Sequence, residues 1–366
     1  MNRTSRLRRA LILMLVLTVG GALARGLWVN GLFSSAETGF FGACRTAAEL
    51  AGVMDIEIVG GTAFIAVSSN RGISDQDGIY AMPLASNAKP RRLEGAPSDF
   101  HPRGLGSFRS PDGKGVFLLA VNRRSGAQGK AGAPNEKVRF SIETFEVKDP
   151  QGEAVLVSQG SVSGGLLNDP QDVAAAGPGA FYVSTAASDR DSLLRPLVQR
   201  LVSTGIVPGS QILYFNGMSF RVAADSIYGA RGLVLTPDGN HLLVASMTGR
   251  SLLSLSREVF SGNLEEAGSL TLPFAPEKIT LDAQGEVWAA GHPNLMAWRG
   301  YAADADKPSA SLAYRVSLSG GVPQEAVRVY GDDGRQIAAA SVAASAGKRL
   351  LLGSSLDHKL LDCTAN

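Results

Sequence analysis

The chain has 366 residues, 45% hydrophobic and 19% charged, enough to bury one large core or two average ones. Lys+Arg 35 against Asp+Glu 33 leave a formal charge of +2, which excludes the basic excess of a nucleic-acid-binding surface. The 43 glycines, the scarcity of aromatic residues and the short Val/Ile/Leu/Ala runs between turns point to an all-β chain.

Residues 1–25 stand apart from the rest. Arg3, Arg6, Arg8 and Arg9 precede an uncharged apolar run from Ala10 to Ala24, which ends in Ala22-Leu23-Ala24 before Arg25. A basic region, an apolar region and a small-x-small site describe a secretory signal. The run is shorter than the ~20 residues of a spanning helix, and an uncleaved membrane anchor is the alternative. Either reading exports the body of the protein to a periplasmic or extracellular compartment, with membrane contact only through this segment. Residues 26–43 form a lead-in to the main body at 44–366. The only two cysteines, Cys44 and Cys363, lie near the two ends of that body. In an oxidising compartment such a pair reads as one disulfide closing almost the whole chain, against two separate buried thiols as the alternative.

One pattern then recurs six times: an apolar run, a turn that usually contains glycine, and a second apolar run. The copies join Ile56–Val59 to Phe64–Val67, Gly104–Phe108 to Val116–Val121, Val173 to Phe181–Val183, Leu233–Leu235 to Leu242–Val244, Ile279–Leu281 to Val287–Trp288, and Val342–Ala343 to Leu350–Leu352. Their spacing leaves room for a four-stranded blade each, so the fold expected is a six-bladed β-propeller. A β-sandwich of this length would be oversized. The segment Ser192–Thr204 breaks the pattern. Its Leu194, Val198, Leu201 and Val202 have a partly helical spacing, which predicts a short amphipathic helix over the channel mouth or, because of Pro196, a structured loop.

A propeller runs the first strand of each blade along its central channel, so residues entering those strands converge on the axis. They are Met54-Asp55, Arg103, Gln171-Asp172, Arg231, Glu277-Lys278 and Ser341. Asp75-Gln76-Asp77-Gly78 looks like the start of a calcium loop, but the remaining ligands are absent at the required spacing, which favours a solvated turn. His101 and His358 lack partners at ligand spacing, and His241 reads as surface.

The stretches MDIEIV (54–59), FHPRGLGSF (100–108), LLAVNR (118–123), QDVAAAGPGAFY (171–182), ARGLVLTPDG (230–239), AGHPNLM (290–296) and LLGSSLDHKLLDC (351–363) resemble the serum paraoxonase/arylesterase family. That family belongs to a wider propeller superfamily with gluconolactonases and strictosidine synthases. The resemblance runs from Cys44 to Cys363 and implies a ring-closing disulfide between them. It also implies two calcium ions in the channel, one buried and structural, one above it that polarises the ester or lactone carbonyl. For the buried ion the matching ligands are the carboxylates of Asp55 and Asp172 and the carbonyl of Leu105, all oxygens that suit a hard cation. One structural calcium is therefore expected. At the upper site the matching positions are Met54, Gln171, Arg231, Lys278 and Glu277. Two of these are cations, whose repulsion of a second calcium argues against a catalytic ion.

The family's histidine dyad falls on Arg103 and Arg123, and a guanidinium cannot act as a general base. His292 matches a pocket histidine. The first functional expectation is a binding protein whose cationic pocket, formed by Arg103, Arg123, Gln171, Arg231 and Lys278, grips a small acidic ligand. The alternative is an ester or lactone hydrolase. Arg231 and Lys278, or a retained calcium, would stabilise the oxyanion, while Glu277 or His292 moves a proton. Charge compensation within the channel is the structural reading of the same residues. A monomer or weak oligomer is expected.

Overall fold

The computed structural model describes all residues except 1, 2, 33, 41, 87, 111, 114, 125–138, 151, 187–194 and 366. Six antiparallel sheets follow one another along the chain, and each recurring pair of apolar runs is the inner hairpin of one of them. Blade 1 starts at Val53–Val59, blade 2 at Pro102–Arg109, blade 3 at Asp172–Gly177, blade 4 at Ala230–Leu235, blade 5 at Ala275–Leu281 and blade 6 at Ala340–Ala346. The architecture is the expected six-bladed β-propeller.

The strand patterns follow from how blades stack. In each blade the two inner strands are covered on both faces by neighbouring blades, so they read as near-continuous apolar runs such as Thr62–Val67, which is buried at every position. Outer strands diverge toward solvent, and Val155–Val162 and Leu264–Thr271 are mostly exposed. Side chains interdigitate between blades: Phe64 of blade 1 shares a cluster with Leu118 and Phe145 of blade 2, and Ile56 and Ile65 share another with Val342 and Leu351 of blade 6. The hairpin turns need a left-handed residue, which glycine supplies at Gly239 (φ 71°) and Gly347 (φ 64°).

The ring is closed by the N-terminal part of the chain. Gly42–Glu49 adds the outer strand of blade 6 beside Lys359–Ala365, with Cys44 directly opposite Cys363, and the two are joined by the expected disulfide. Gly39–Phe40 adds a further short strand to blade 5, so the propeller reaches into the segment expected as a lead-in.

Among the described residues, three helices lie outside the blades. Helix α1, Arg3–Val29, is longer than the Ala10–Ala24 run: residues Arg9–Val29, 21 in number with mean hydropathy 2.0, are long and apolar enough to cross a membrane. Its exposed body carries Leu11 to Leu17, while its end is docked on the propeller. Val29 is fully buried with Met247, Ala275 and Leu295. The Arg25 guanidinium sits 4.0 Å over the Tyr228 ring and its Nε donates to the Gly205 carbonyl at 2.7 Å. Helix α2, Arg195–Ser203, is the helical alternative for the 192–204 segment, whose residues 192–194 fall outside the described residues. Pro196 sits in its first turn, where a missing N–H is tolerated. Helix α3, Leu295–Ala303, was not expected from the sequence. It is capped by Asn294, whose side chain accepts from the backbone N–H groups of Met296 and Ala297.

Candidate functional site

In five of the six blades the inner ladder slips by one residue where the strand enters the channel: at Val53/Asp55, Pro102/Leu105, Ala230/Leu233, Pro276/Lys278 and Ala340/Val342. Such bulges break the strict in–out alternation and turn extra side chains toward the axis. Met54, Arg103, Arg231, Glu277 and Ser341 all sit at these slips. Two of them are followed by glycine because the inner strands nearly touch: a Cβ on Gly104 would lie 2.4 Å from Asp172 Oδ1, and one on Gly232 would lie 2.7 Å from the Ile279 nitrogen.

The converging residues form two layers. In the deeper layer, Lys278 Nζ lies 3.1 Å from Asp55 Oδ2, 3.0 Å from Asp172 Oδ1 and 2.9 Å from the Gln171 carbonyl. An ammonium has three donors, and all three are taken. Asp55 also accepts from the backbone N–H of Ile56 and Leu105, both at 2.9 Å, and Asp172 from those of Val173 (2.9 Å) and Leu233 (2.8 Å). These contacts stitch the inner strands of blades 1 to 5 together. Burial alone would drive Lys278 toward the neutral amine, but the two carboxylates outweigh it and hold the ammonium form. Asp172 is pushed up by burial and by the charge of Asp55, with Lys278 only partly opposing.

This arrangement bears on the calcium ion expected at Asp55, Leu105 and Asp172. Calcium binds carboxylate oxygens at about 2.4 Å, and the two oxygens that would face it are those the ammonium holds. At about 3 Å and an effective dielectric of about 20, a divalent ion and an ammonium repel by on the order of 10 kcal/mol. The Leu105 contact in the hub is its N–H, a donor. The residues in this arrangement do not fit a calcium ion. Lys278 was also expected among the ligand-binding and oxyanion-stabilising groups; the structure instead places it beneath the mouth with no donor to spare, because two buried carboxylates attract it more strongly than the open end does.

Glu57 lies further along the same strand as Asp55 and accepts from Ser107 Oγ at 3.1 Å. Burial, then the charge of Asp55, raise its pKa from 4.5 to about 8, against the weaker pull of Ser107 and Lys278. Between those values the folded chain keeps a proton that the unfolded chain releases, so stability should fall as pH rises from about 5 to 8. Glu57→Gln should flatten that slope in melting temperature; an unchanged slope would show that Glu57 is not its source.

The upper layer opens on a cavity of about 560 Å³ lined by Gln171 and Arg231, by Val198 and Val202 of α2, and by Leu295, Trp298 and Arg299 of α3. The described part of the 192–204 segment, helix α2, thus lies over the channel mouth. Arg231 donates to Gln171 Oε1 and forms no ion pair among the described residues. Arg103 is committed: its guanidinium meets Asp169 Oδ1 at 2.6 Å and approaches Gln171 Oε1 at 3.4 Å. Burial would raise the Asp169 carboxyl, but the charge and hydrogen bond of Arg103, then Arg231 and Arg123, hold it below the ordinary range. Arg123 is exposed at the rim and reaches the group only through its charge. Arg299 bridges Asn30 and the Ser203 carbonyl, tying the end of α1 to α2.

Beneath the Trp298 wall, His292 Nε2 and Glu277 Oε2 are 2.8 Å apart and both side chains are buried. Burial pushes the Glu277 carboxyl up, but the His292 hydrogen bond and the charges of His292, Arg231 and Lys278 overcome it and leave it below its usual value. His292 stacks on Trp298 at 5.3 Å, and its Nδ1 is buried without a hydrogen-bond partner among the described residues. The expected site residues therefore divide. Arg231, Gln171, Glu277 and His292 gather at or just below the pocket; Lys278, Asp55 and Asp172 form the hub under it. Met54 packs into the apolar cluster between blades 1 and 2.

Asp169, Trp298 and Arg299 were missed by the sequence reading; Asn294 before an apolar helical run was the signal available for the last two. Asp77, read as part of a solvated turn, is buried and bonds His101 Nδ1 at 2.6 Å, and His101 Nε2 faces Asp99 at 3.2 Å. Gly321 packs against His241, which is half-buried rather than free surface.

Human serum paraoxonase/arylesterase 2 is 26% identical over 326 residues, covering 86% of this chain and 86% of that one. Its chicken counterpart is 25% identical over 265 residues, 72% of this chain and 68% of the other. Among solved structures, a gluconolactonase from Xanthomonas campestris is similar at 12% identity and a TM-score of 0.49, over 91% of this chain and 96% of that one. A calcium-binding regucalcin from Agrobacterium tumefaciens is similar at 14% identity and a TM-score of 0.48, over 90% and 95%. The family model described as Arylesterase matches residues 100–365, more than half of the chain, and the chain belongs to that family.

Proposed function

We propose that this arylesterase-family propeller is an exported carboxylate-binding protein whose metal-assisted ester hydrolysis has been lost. The observation that carries the reading is Arg231: a guanidinium on the wall of a largely apolar cavity that Asp169 also lines, bonded to an amide oxygen and, among the described residues, in no ion pair with a carboxylate. A guanidinium fork pairs with a carboxylate through charge-assisted hydrogen bonds, and Val198, Val202, Leu295 and Trp298 would cover an apolar body attached to it. The ligand class is thus a small acid with an aromatic or aliphatic tail. The end of α1 docked beside the pocket is consistent with an anchored or freshly processed exported chain; a monomer is expected. Benzoate, phenylacetate and short fatty acids should raise the melting temperature in a saturable way. Arg231→Ala should weaken that binding by about 10- to 100-fold, the worth of a charge-assisted pair of hydrogen bonds. Binding that is indifferent to Arg231, or absent for every acid tried, would refute the reading.

One observation favours a second reading, an ester or lactone hydrolase: the buried Glu277–His292 pair could move a proton with Arg231 stabilising the oxyanion. Phenyl acetate and simple lactones decide between the two. Turnover that is lost in Glu277→Gln and persists in chelator would establish the enzyme, whereas hydrolysis at the buffer rate would leave binding alone.

A further inference from the structure

We infer that the ammonium of Lys278 is a built-in replacement for a divalent cation at the hub of the propeller, so that the fold of this chain needs no metal and a cation site is latent beneath the side chain. The inference is independent of what the pocket above binds. It rests on geometry: one nitrogen lies 3.1 and 3.0 Å from oxygens of two carboxylates that enter the channel from different blades. Those carboxylates come from blades 1 and 3 and the ammonium from blade 5, so a single cation joins three blades that are not neighbours in sequence. Asp55, Asp172 and Lys278 are all nearly fully buried. Two carboxyl groups buried that close together repel one another when both are ionised, and a cation between them relieves that repulsion. A covalently attached one does that job without depending on the metal content of the surroundings.

The inference has a specific consequence. Lys278→Asn removes the ammonium and puts an amide oxygen, a ligand suited to calcium, over two carboxylates already oriented by backbone N–H groups. The wild-type chain, purified and exchanged into chelator, should hold less than about 0.1 equivalent of calcium and should melt at the same temperature with chelator or with millimolar calcium. Lys278→Asn should melt well below the wild type in chelator and recover most of the loss as calcium is titrated in, with saturation near one equivalent. Expression and refolding of the variant in millimolar calcium keep the comparison available if its metal-free form does not fold. A wild-type chain that carries one calcium and loses stability when it is chelated would overturn the inference. So would a Lys278→Asn chain that stays unfolded in calcium, or one that melts identically with and without it.

Discussion

Replacing Cys44 and Cys363 together with serine should lower the melting temperature by about 10 °C. The disulfide spans 319 positions of sequence, and in the chain-entropy model a loop of that size restricts the unfolded chain by about 4 to 5 kcal/mol. For a domain of this size each kcal/mol is worth about 2 °C. The structure adds where the loss should appear. Cys44 lies in the outer strand of blade 6 and Cys363 in the strand beside it, so the bond holds the sheet in which the N-terminal part of the chain pairs with its last strand. Without it, amide exchange should accelerate first in Gly42–Glu49 and Lys359–Ala365, while blade 3 keeps its protection. Exchange that rises evenly in all blades, or a melting temperature equal to that of the parent, would mean the strand pairing closes the ring unaided.

Stacking geometry made the propeller readable. A blade covered on both faces needs apolar side chains at successive positions, so its inner strands stand out as short unbroken runs, and a turn between them calls for glycine or Asp-Gly. Each inner hairpin, from Ile56–Val67 to Val342–Leu352, carries that signature. The outer strands do not: Leu264–Thr271 is mostly solvent-exposed and its residues answer to local demands alone. The contribution of Gly42–Glu49 to blade 6 is a pairing between positions more than 300 apart, and nothing in the strand itself records its partner.

The site was legible in identity and less so in arrangement. Entry to each inner strand fixes which residues face the channel, and Asp55, Gln171, Asp172, Arg231, Glu277 and Lys278 do converge there. Depth is another matter. A four-carbon stem lets Lys278 travel from the mouth level to the carboxylates below it, and the sequence cannot choose between holding a ligand and neutralising Asp55 and Asp172. Buried electrostatics chooses. Arg103 shows the same problem laterally: its partner Asp169 lies on the loop that leads into blade 3, where repeat spacing gives no placement.

The sharpest test of the hub as a structural element is a contrast between two aspartates three positions apart. Asp172→Ala should cost about 3 to 5 kcal/mol in urea-induced unfolding, because it strips Lys278 of one counter-charge and leaves the N–H groups of Val173 and Leu233 without their acceptor in the dry core. Asp169→Ala removes an even shorter contact, to Arg103, but its carboxylate is 57% exposed and water replaces the partner, so the cost should stay below about 1 kcal/mol. Adding Lys278→Met to Asp172→Ala should recover part of the larger loss, since the unpaired ammonium goes with it and a methionine of similar length fills the space. If the double variant is less stable than the sum of the two single ones predicts, the ammonium does more than answer its carboxylates. Equal costs at 169 and 172 would show instead that water reaches the channel axis, and the separation into a dry hub and a wet mouth would fail with it.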